Sequence, residues 1–157
     1  MEHYYTNNPT TESREKIINS TIANENLKFY TDNGVFSKES VDFGTKTMLE
    51  SFTTNKENAK VADIGCGYGV ISIFLAKKYP TYKFTMVDVN NRVLELSKKN
   101  IELNKIENEV EVLESSSFDN VEGTFDIVLT NPPIRAGKKI VHKIMTCLLY
   151  TSPSPRD

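Results

Sequence analysis

The chain is poor in several things, and each shortage excludes something. Two cysteines in 157 residues are too few for a disulfide framework and fit a reducing compartment. A net charge of only -2 exerts no overall pull toward nucleic acid, so any such role must rest on a local basic patch. The longest apolar run, Val70 to Ala76, is far too short to span a bilayer, and no charged-then-apolar leader opens the chain. Internal repeats are absent, and no low-complexity run occurs outside the C-terminal tail. These shortages imply one domain's worth of soluble, cytoplasmic protein, with neither a membrane nor a metal among its expected partners.

The tail stands apart. Cys147 to Asp157 carries neither a period nor a cap, and all eleven residues match, in one frame, the translation of a transposase-based sequencing adapter (TGT CTC TTA TAC ACA TCT, then CCG AGC CCA CGA GAC). The other reading is a disordered Ser/Pro tail. We set residues 147–157 aside from fold reasoning as non-native, which leaves Cys66 as the sole native thiol.

Along the remainder, the first dozen residues are polar and expected to be mobile. β-Branched and aromatic residues recur from Lys16 to Ala23 and from Leu27 to Thr31 around the turn-like Asn24-Glu25-Asn26, which predicts a β-hairpin. Asp32-Asn33-Gly34 reads as a further turn. Met48, Leu49 and Phe52 fall at helical spacing within Phe43 to Phe52. Strand and helix then alternate. Strands are expected at Lys60 to Ile64, Lys83 to Val89, Val110 to Leu113 and Phe125 to Thr130. Helices are expected at Val70 to Tyr79, at Asn91 to Leu103 behind an Asn cap, and from Gly137 to Met145. That rhythm means an α/β fold with a parallel, doubly wound sheet.

Glycines punctuate the first strand-to-helix junction, in Ala62-Asp63-Ile64-Gly65-Cys66-Gly67-Tyr68-Gly69. Glycines at alternate positions let the backbone approach a ligand closely. The dinucleotide fingerprint requires a different spacing, and Val70 fills its last glycine position. A plain tight turn is the bland reading. Two acids sharpen the other one. Asp63 stands just before the glycines, where a ligand ammonium would find a charged partner. Asp88 closes the second strand of the series, where a carboxylate takes both ribose hydroxyls; its bland reading is an N-cap for the following helix. Charge-assisted hydrogen bonds of this kind contribute roughly 1.5–3 kcal/mol each. A ligand with a ribose, an amino group and no phosphate satisfies both acids, and S-adenosylmethionine is such a molecule.

The last expected strand runs into Asn131-Pro132-Pro133-Ile134. Two prolines in succession remove two amide donors, so the ladder cannot continue. What remains is a stiff turn with an amide side chain and acceptor-only carbonyls, at the end of the sheet where open α/β folds bind ligands. Such a row of acceptors suits a planar amine that must be held still. Ile134 offers an apolar face without a π system, which weakens a DNA adenine reading. Arg135, Lys138 and Lys139 follow and could meet phosphates, or simply be a solvated helix start.

Taken together, Asp63 through Gly69, Asp88 and Asn131-Pro132-Pro133-Ile134 resemble class I S-adenosylmethionine-dependent methyltransferases. More narrowly, the chain is similar to the "methyltransferase small" domain family of small-subunit ribosomal RNA guanine-N2 methyltransferases. His3-Tyr4-Tyr5, Gly34-Val35-Phe36-Ser37, Val41-Asp42-Phe43-Gly44-Thr45 and the run from Asn131 to Lys138 share the likeness, which covers His3 to about Met145. The resemblance implies a Rossmann-like fold with a partial parallel sheet in the order 3-2-1-4, later strands missing, behind an N-terminal β-hairpin. It divides the chain into an extension (1–42), a partial methyltransferase domain (43–146) and the tail (147–157). It implies cofactor contacts from Asp63, Gly65, Gly67, Gly69 and Asp88, and places Gly44 and Thr45 over the methionine end. Asn131 and the Pro132 carbonyl would accept hydrogen bonds from the target amine, with Pro133 and Ile134 completing the motif. Arg135 and Lys138 would meet the RNA.

The chain departs from the family pattern in two ways. An acid that reads the adenine amine is often found after the third strand; here Ser115-Ser116-Ser117 stands instead, with Phe118 still in place, so Ser116 would accept without charge. The chain also reads as cut short, and little turnover is expected of it as it stands. The implied partner is ribosomal RNA or the small ribosomal subunit. Rival readings are a protein glutamine or DNA adenine as acceptor, a nicotinamide-dependent oxidoreductase, and a non-catalytic cofactor-binding fragment.

Overall fold

The computed structural model describes residues 15–32, 41, 43–115 and 123–130. Within them run β1 (Glu15–Ile22), β2 (Glu25–Asp32), α1 (Phe43–Ser51), β3 (Lys60–Ile64), α2 (Val70–Lys78), β4 (Lys83–Asp88), α3 (Asn91–Leu103), β5 (Val110–Glu114) and β6 (Ile127–Thr130). Strands β5-β4-β3-β6 form a four-stranded sheet in that order, every neighbouring pair parallel. This is the expected 3-2-1-4 order with its N-terminal hairpin, an α/β, Rossmann-like sheet.

The hairpin departs from expectation at its turn. Its loop is Ala23-Asn24, with Ile22 paired to Glu25, and Glu25 and Asn26 belong to β2. Both loop residues have positive φ, 47° and 70°, as a two-residue turn matching the strand twist requires. Asn24 tolerates that region; Ala23 does so at a cost. The register is set by burial, because Ile18, Ile22, Leu27 and Phe29 must all face the core. Smaller differences lie at the other ends: α2 stops at Lys78, β4 at Asp88, and β6 begins at Ile127. Of the turn expected at Asp32-Asn33-Gly34, Asp32 closes β2 and the other two residues lie outside the described ones. The helix expected at 137–145 lies outside them too.

Helix α2 is buried from Val70 to Ala76, which explains an apolar run without amphipathic period: it is covered on all sides. Strands β2 and β4 and helix α1 pack against it, and its Ser72 reaches Asp63 of β3. Helix α3 buries Val93, Leu94, Leu96, Ser97 and Asn100 along one stripe and begins at the cap Asn90, whose side chain accepts from the Arg92 and Val93 amides. The cap is therefore Asn90 and not Asp88, which frees Asp88 from its bland reading. Among the described residues no helix is long and apolar enough to cross a membrane.

The hairpin is seated on α3 by two side-chain amides. Asn100 Oδ1 accepts from the Tyr30 amide at 2.6 Å and its Nδ2 donates to the Tyr30 carbonyl at 3.2 Å. Asn104, one turn on, treats Lys28 likewise, at 3.2 and 2.8 Å. Each asparagine thus pairs with the outer edge of β2 as another strand would. At the far end Arg92 Nη2 meets the buried Asp32 carboxylate at 3.0 Å.

Candidate functional site

The glycine loop begins where β3 ends, and the backbone of β4 holds it. The Gly65 and Cys66 amides both donate to the Val87 carbonyl, at 2.7 and 2.9 Å. The Gly67 amide donates to Asp88 Oδ2 at 3.0 Å, and Asp88 Oδ1 accepts from the Asn90 amide at 3.1 Å. The Asp88 carboxylate is thereby fixed at the tip of β4, with lone pairs to spare. From α3, Ser97 Oγ donates to the Gly67 carbonyl at 2.6 Å and Asn100 Nδ2 to the Tyr68 carbonyl at 2.7 Å.

Gly67 and Gly69 are required for different reasons. At Gly69 (φ +105°) a Cβ would lie 3.1 Å from Ile73 Cδ1 and 3.3 Å from Met86 Cε, so the bare backbone lets α2 close against the sheet. At Gly67 (φ +59°) a Cβ would meet no atom of the described residues within 4 Å. With the Gly65, Cys66 and Gly67 amides engaged by β4 and the Gly67 and Tyr68 carbonyls by α3, open space at Gly67 lets a ligand approach the backbone closely, as a cradle requires.

Asp63 lies fully buried below the loop. Ser72 Oγ donates to its Oδ2 at 2.6 Å, while Oδ1 has no partner among the described residues. Burial, opposed by the Ser72 bond and reinforced by the Asp88 charge, raises its carboxyl to about 6. A buried carboxylate oxygen without a donor is costly and accommodates an added cation. Cys66 is also buried; burial and then the charges of Asp63 and Asp88 push its thiol well up, so it stays protonated and serves as packing.

Thr130 pairs with Ile64 across β6 and β3. The last residue before the Asn-Pro-Pro motif therefore lies level with the last residue before the glycine loop. Asn131, Pro132, Pro133, Ile134, Arg135 and Lys138 lie outside the described residues, as do Ser116 and Phe118. Gly44 and Thr45 occupy the first turn of α1, the former exposed and the latter buried. Asp63, Gly65, Gly67, Gly69 and Asp88 come together at the C-terminal end of the sheet. Sequence reasoning missed Ser72, Ser97 and Asn100. Ser72 left a faint signal as the only hydroxyl in the run Val70 to Ala76. Among the described residues no group of three or more His, Cys, Asp or Glu is placed to hold a metal ion.

A parallel sheet in this order, with a glycine loop after β3 and an acid at the end of β4, is the Rossmann-like arrangement that receives nucleoside-bearing cofactors. The chain belongs to the methyltransferase small domain family, whose model matches residues 26–154. It is 43% identical over 145 residues to the uncharacterized protein YbxB of Bacillus subtilis, covering 91% of this chain and 72% of that one. It is 37% identical over 125 residues to the ribosomal RNA small subunit methyltransferase C of Haemophilus influenzae. That match covers 80% of this chain but spans only 37% of the relative's length. In fold, it superposes on the 16S rRNA N2 methyltransferase RsmC of T. thermophilus, solved with AdoMet and guanosine, at a TM-score of 0.69 and 23% identity. The superposition covers 87% of this chain and 38% of that one.

Proposed function

We propose that this chain forms the cofactor-binding part of an S-adenosylmethionine-dependent methyltransferase acting on the exocyclic N2 amine of a guanine in small-subunit ribosomal RNA. The observation that carries the reading is a buried carboxylate oxygen, Asp63 Oδ1, that lacks a donor among the described residues, under a loop whose Gly67 has open space among those residues. S-adenosylmethionine fits that donor set: it has an ammonium for Asp63, directly or through one bound water, and ribose hydroxyls for Asp88. It has no phosphate for the loop to hold. The Haemophilus relative is named for small-subunit ribosomal RNA and the T. thermophilus structure for N2 of a guanine in 16S rRNA, which supports this choice of acceptor.

When bound, the cofactor supplies a methyl group on a sulfonium, already activated for transfer. The chain's own residues hold and orient. Asp88 is kept in place by the Gly67 and Asn90 amides, so its remaining lone pairs meet the ribose without reorganisation. Gly65 and Gly67 would let the backbone lie against the cofactor, with Gly69 closing α2 on the sheet behind them; Ser116 and Phe118 would serve the adenine, and Gly44 and Thr45 the methionine end. Asn131 and the Pro132 carbonyl accept hydrogen bonds from the guanine amine, while Pro133 stiffens the turn and Ile134 backs the base. Arg135 and Lys138 meet RNA phosphates. Positioning of this kind can supply about 7–11 kcal/mol of rate enhancement, and no strong base is required because an alkylated amine is acidic.

Calorimetry tests the cofactor: heat with S-adenosylmethionine and none with a nicotinamide dinucleotide is expected, and the reverse overturns the reading. The chain spans 37% of its ribosomal RNA relative's length, so the substrate test belongs to the complete gene product acting on small ribosomal subunits. Mass mapping should find the methyl group on guanine. A methyl on adenine or on a protein glutamine would refute the acceptor.

A further inference from the structure

One side chain joins three elements that the cofactor reading leaves separate. Asn100, fully buried on α3, uses its Oδ1 for the Tyr30 amide and its Nδ2 for both the Tyr30 and Tyr68 carbonyls, at 2.6, 3.2 and 2.7 Å. Tyr30 belongs to the hairpin and Tyr68 to the glycine loop. The Tyr68 ring meets Phe29 of the same strand edge-on, with centroids 5.7 Å apart. The hairpin and the loop therefore share one amide and one ring contact, and neither can shift without disturbing the other.

Asn104 provides an internal comparison. It holds the hairpin through Lys28 as Asn100 does through Tyr30, but its other bond goes to the Asn100 carbonyl, and it makes no hydrogen bond to the loop among the described residues. A purely structural role would make the two asparagines equivalent.

We propose that Asn100 is a positioning residue that locks the glycine loop to the hairpin, so that hairpin docking and cofactor binding are coupled. The inference rests on the cofactor reading above for its binding arm only. Coupling of this sort is reciprocal: whatever firms the loop must firm the hairpin by an equal free energy.

The test uses Asn100→Ala and Asn104→Ala in this chain. Both should lower thermal stability, because both leave a β2 backbone pair unsatisfied. Only Asn100→Ala should speed amide hydrogen exchange in the loop from Gly67 to Gly69 in the protein without ligand. It should also weaken S-adenosylmethionine binding by about five- to tenfold, the effect of one lost hydrogen bond. Equal effects of the two variants on the loop and on affinity would overturn the inference. Should Asn100→Ala fail to fold, the wild-type chain still decides: saturating S-adenosylmethionine should slow exchange of the Tyr30 amide, and an unchanged Tyr30 amide refutes the coupling. If wild-type protein binds no S-adenosylmethionine at all, the cofactor reading fails. The exchange difference in the ligand-free variants would still judge the lock.

Discussion

Asp63 combines a large electrostatic cost with a free acceptor. Its carboxyl sits at about 6 in the fold against 3.8 for the ordinary group. Below the lower value both folded and unfolded chains are protonated and the cost vanishes. Between the two the folded chain holds a proton the unfolded chain has lost, so stability falls as pH rises, by about 3 kcal/mol at most. Asp63→Asn should therefore gain stability over wild type as pH rises through that window, a trend that urea unfolding at a series of pH values measures. Binding runs the other way. An ammonium pairs with the ionised carboxylate, so S-adenosylmethionine affinity should weaken as pH drops through about 6, and in Asp63→Asn it should be weaker throughout and flat there. A wild-type affinity indifferent to pH in that range would remove Asp63 from the site. The two glycines separate stability from binding in the same manner. Gly69→Ala forces a Cβ to 3.1 Å from Ile73 Cδ1 and should cost about 1–3 kcal/mol of stability. Gly67→Ala carries only the left-handed strain, about 1–2 kcal/mol, yet places a methyl in the open cradle, so its loss should appear mainly in the cofactor titration.

Elements were legible in proportion to how local their causes are. Strand β3 and helix α3 match expectation residue for residue, because a run ending at glycines and an asparagine cap are written in adjacent positions. The hairpin was legible but its turn was not. Asn24-Glu25-Asn26 has turn-forming side chains, whereas the fold places Ala23 at φ 47°, an unfavourable residue there that long-range packing of Ile22, Leu27 and Phe29 imposes. Replacing Ala23 by Gly or Asn should therefore stabilise the chain by about 1 kcal/mol, read as a higher urea midpoint with unchanged slope. A fall in the midpoint would mean that the Ala23-Asn24 turn is not the one formed. Asn100 and Asn104, four apart on an apolar helix face, were the missed signal. Asparagine is a poor residue in a helix interior, as at Asn100, and a second buried one at the C-cap, Asn104, one turn on implies a backbone partner lying along the helix.

At the scale of the molecule, the parallel sheet and the acid at the end of β4 could be read from alternation and spacing and the strand order only from the family resemblance, while Asp63's burial could not be read, since it depends on α2 bringing Ser72 over it. The sheet also fixes how the two halves of the proposed chemistry relate. Val87 and Thr130 both stand level with Ile64, so the chain leaves β4 toward the ribose acid and leaves β6 toward Asn131 on the same edge, one strand to either side of the glycine loop. Two sites proposed to lie along one edge in this way should be separable by mutation. Asn131→Ala removes an acceptor for the target amine and nothing proposed for the cofactor. In the complete gene product it should lower kcat by roughly 5- to 150-fold, corresponding to about 1–3 kcal/mol, with S-adenosylmethionine affinity within twofold of wild type (about 0.4 kcal/mol). Asp88→Ala should do the opposite, losing affinity first. Methyl transfer to small subunits and calorimetry on the same preparations make the comparison. If Asn131→Ala instead abolishes cofactor binding while leaving turnover at saturation intact, the motif after β6 belongs to the donor, and the division of labour along this sheet edge is wrong.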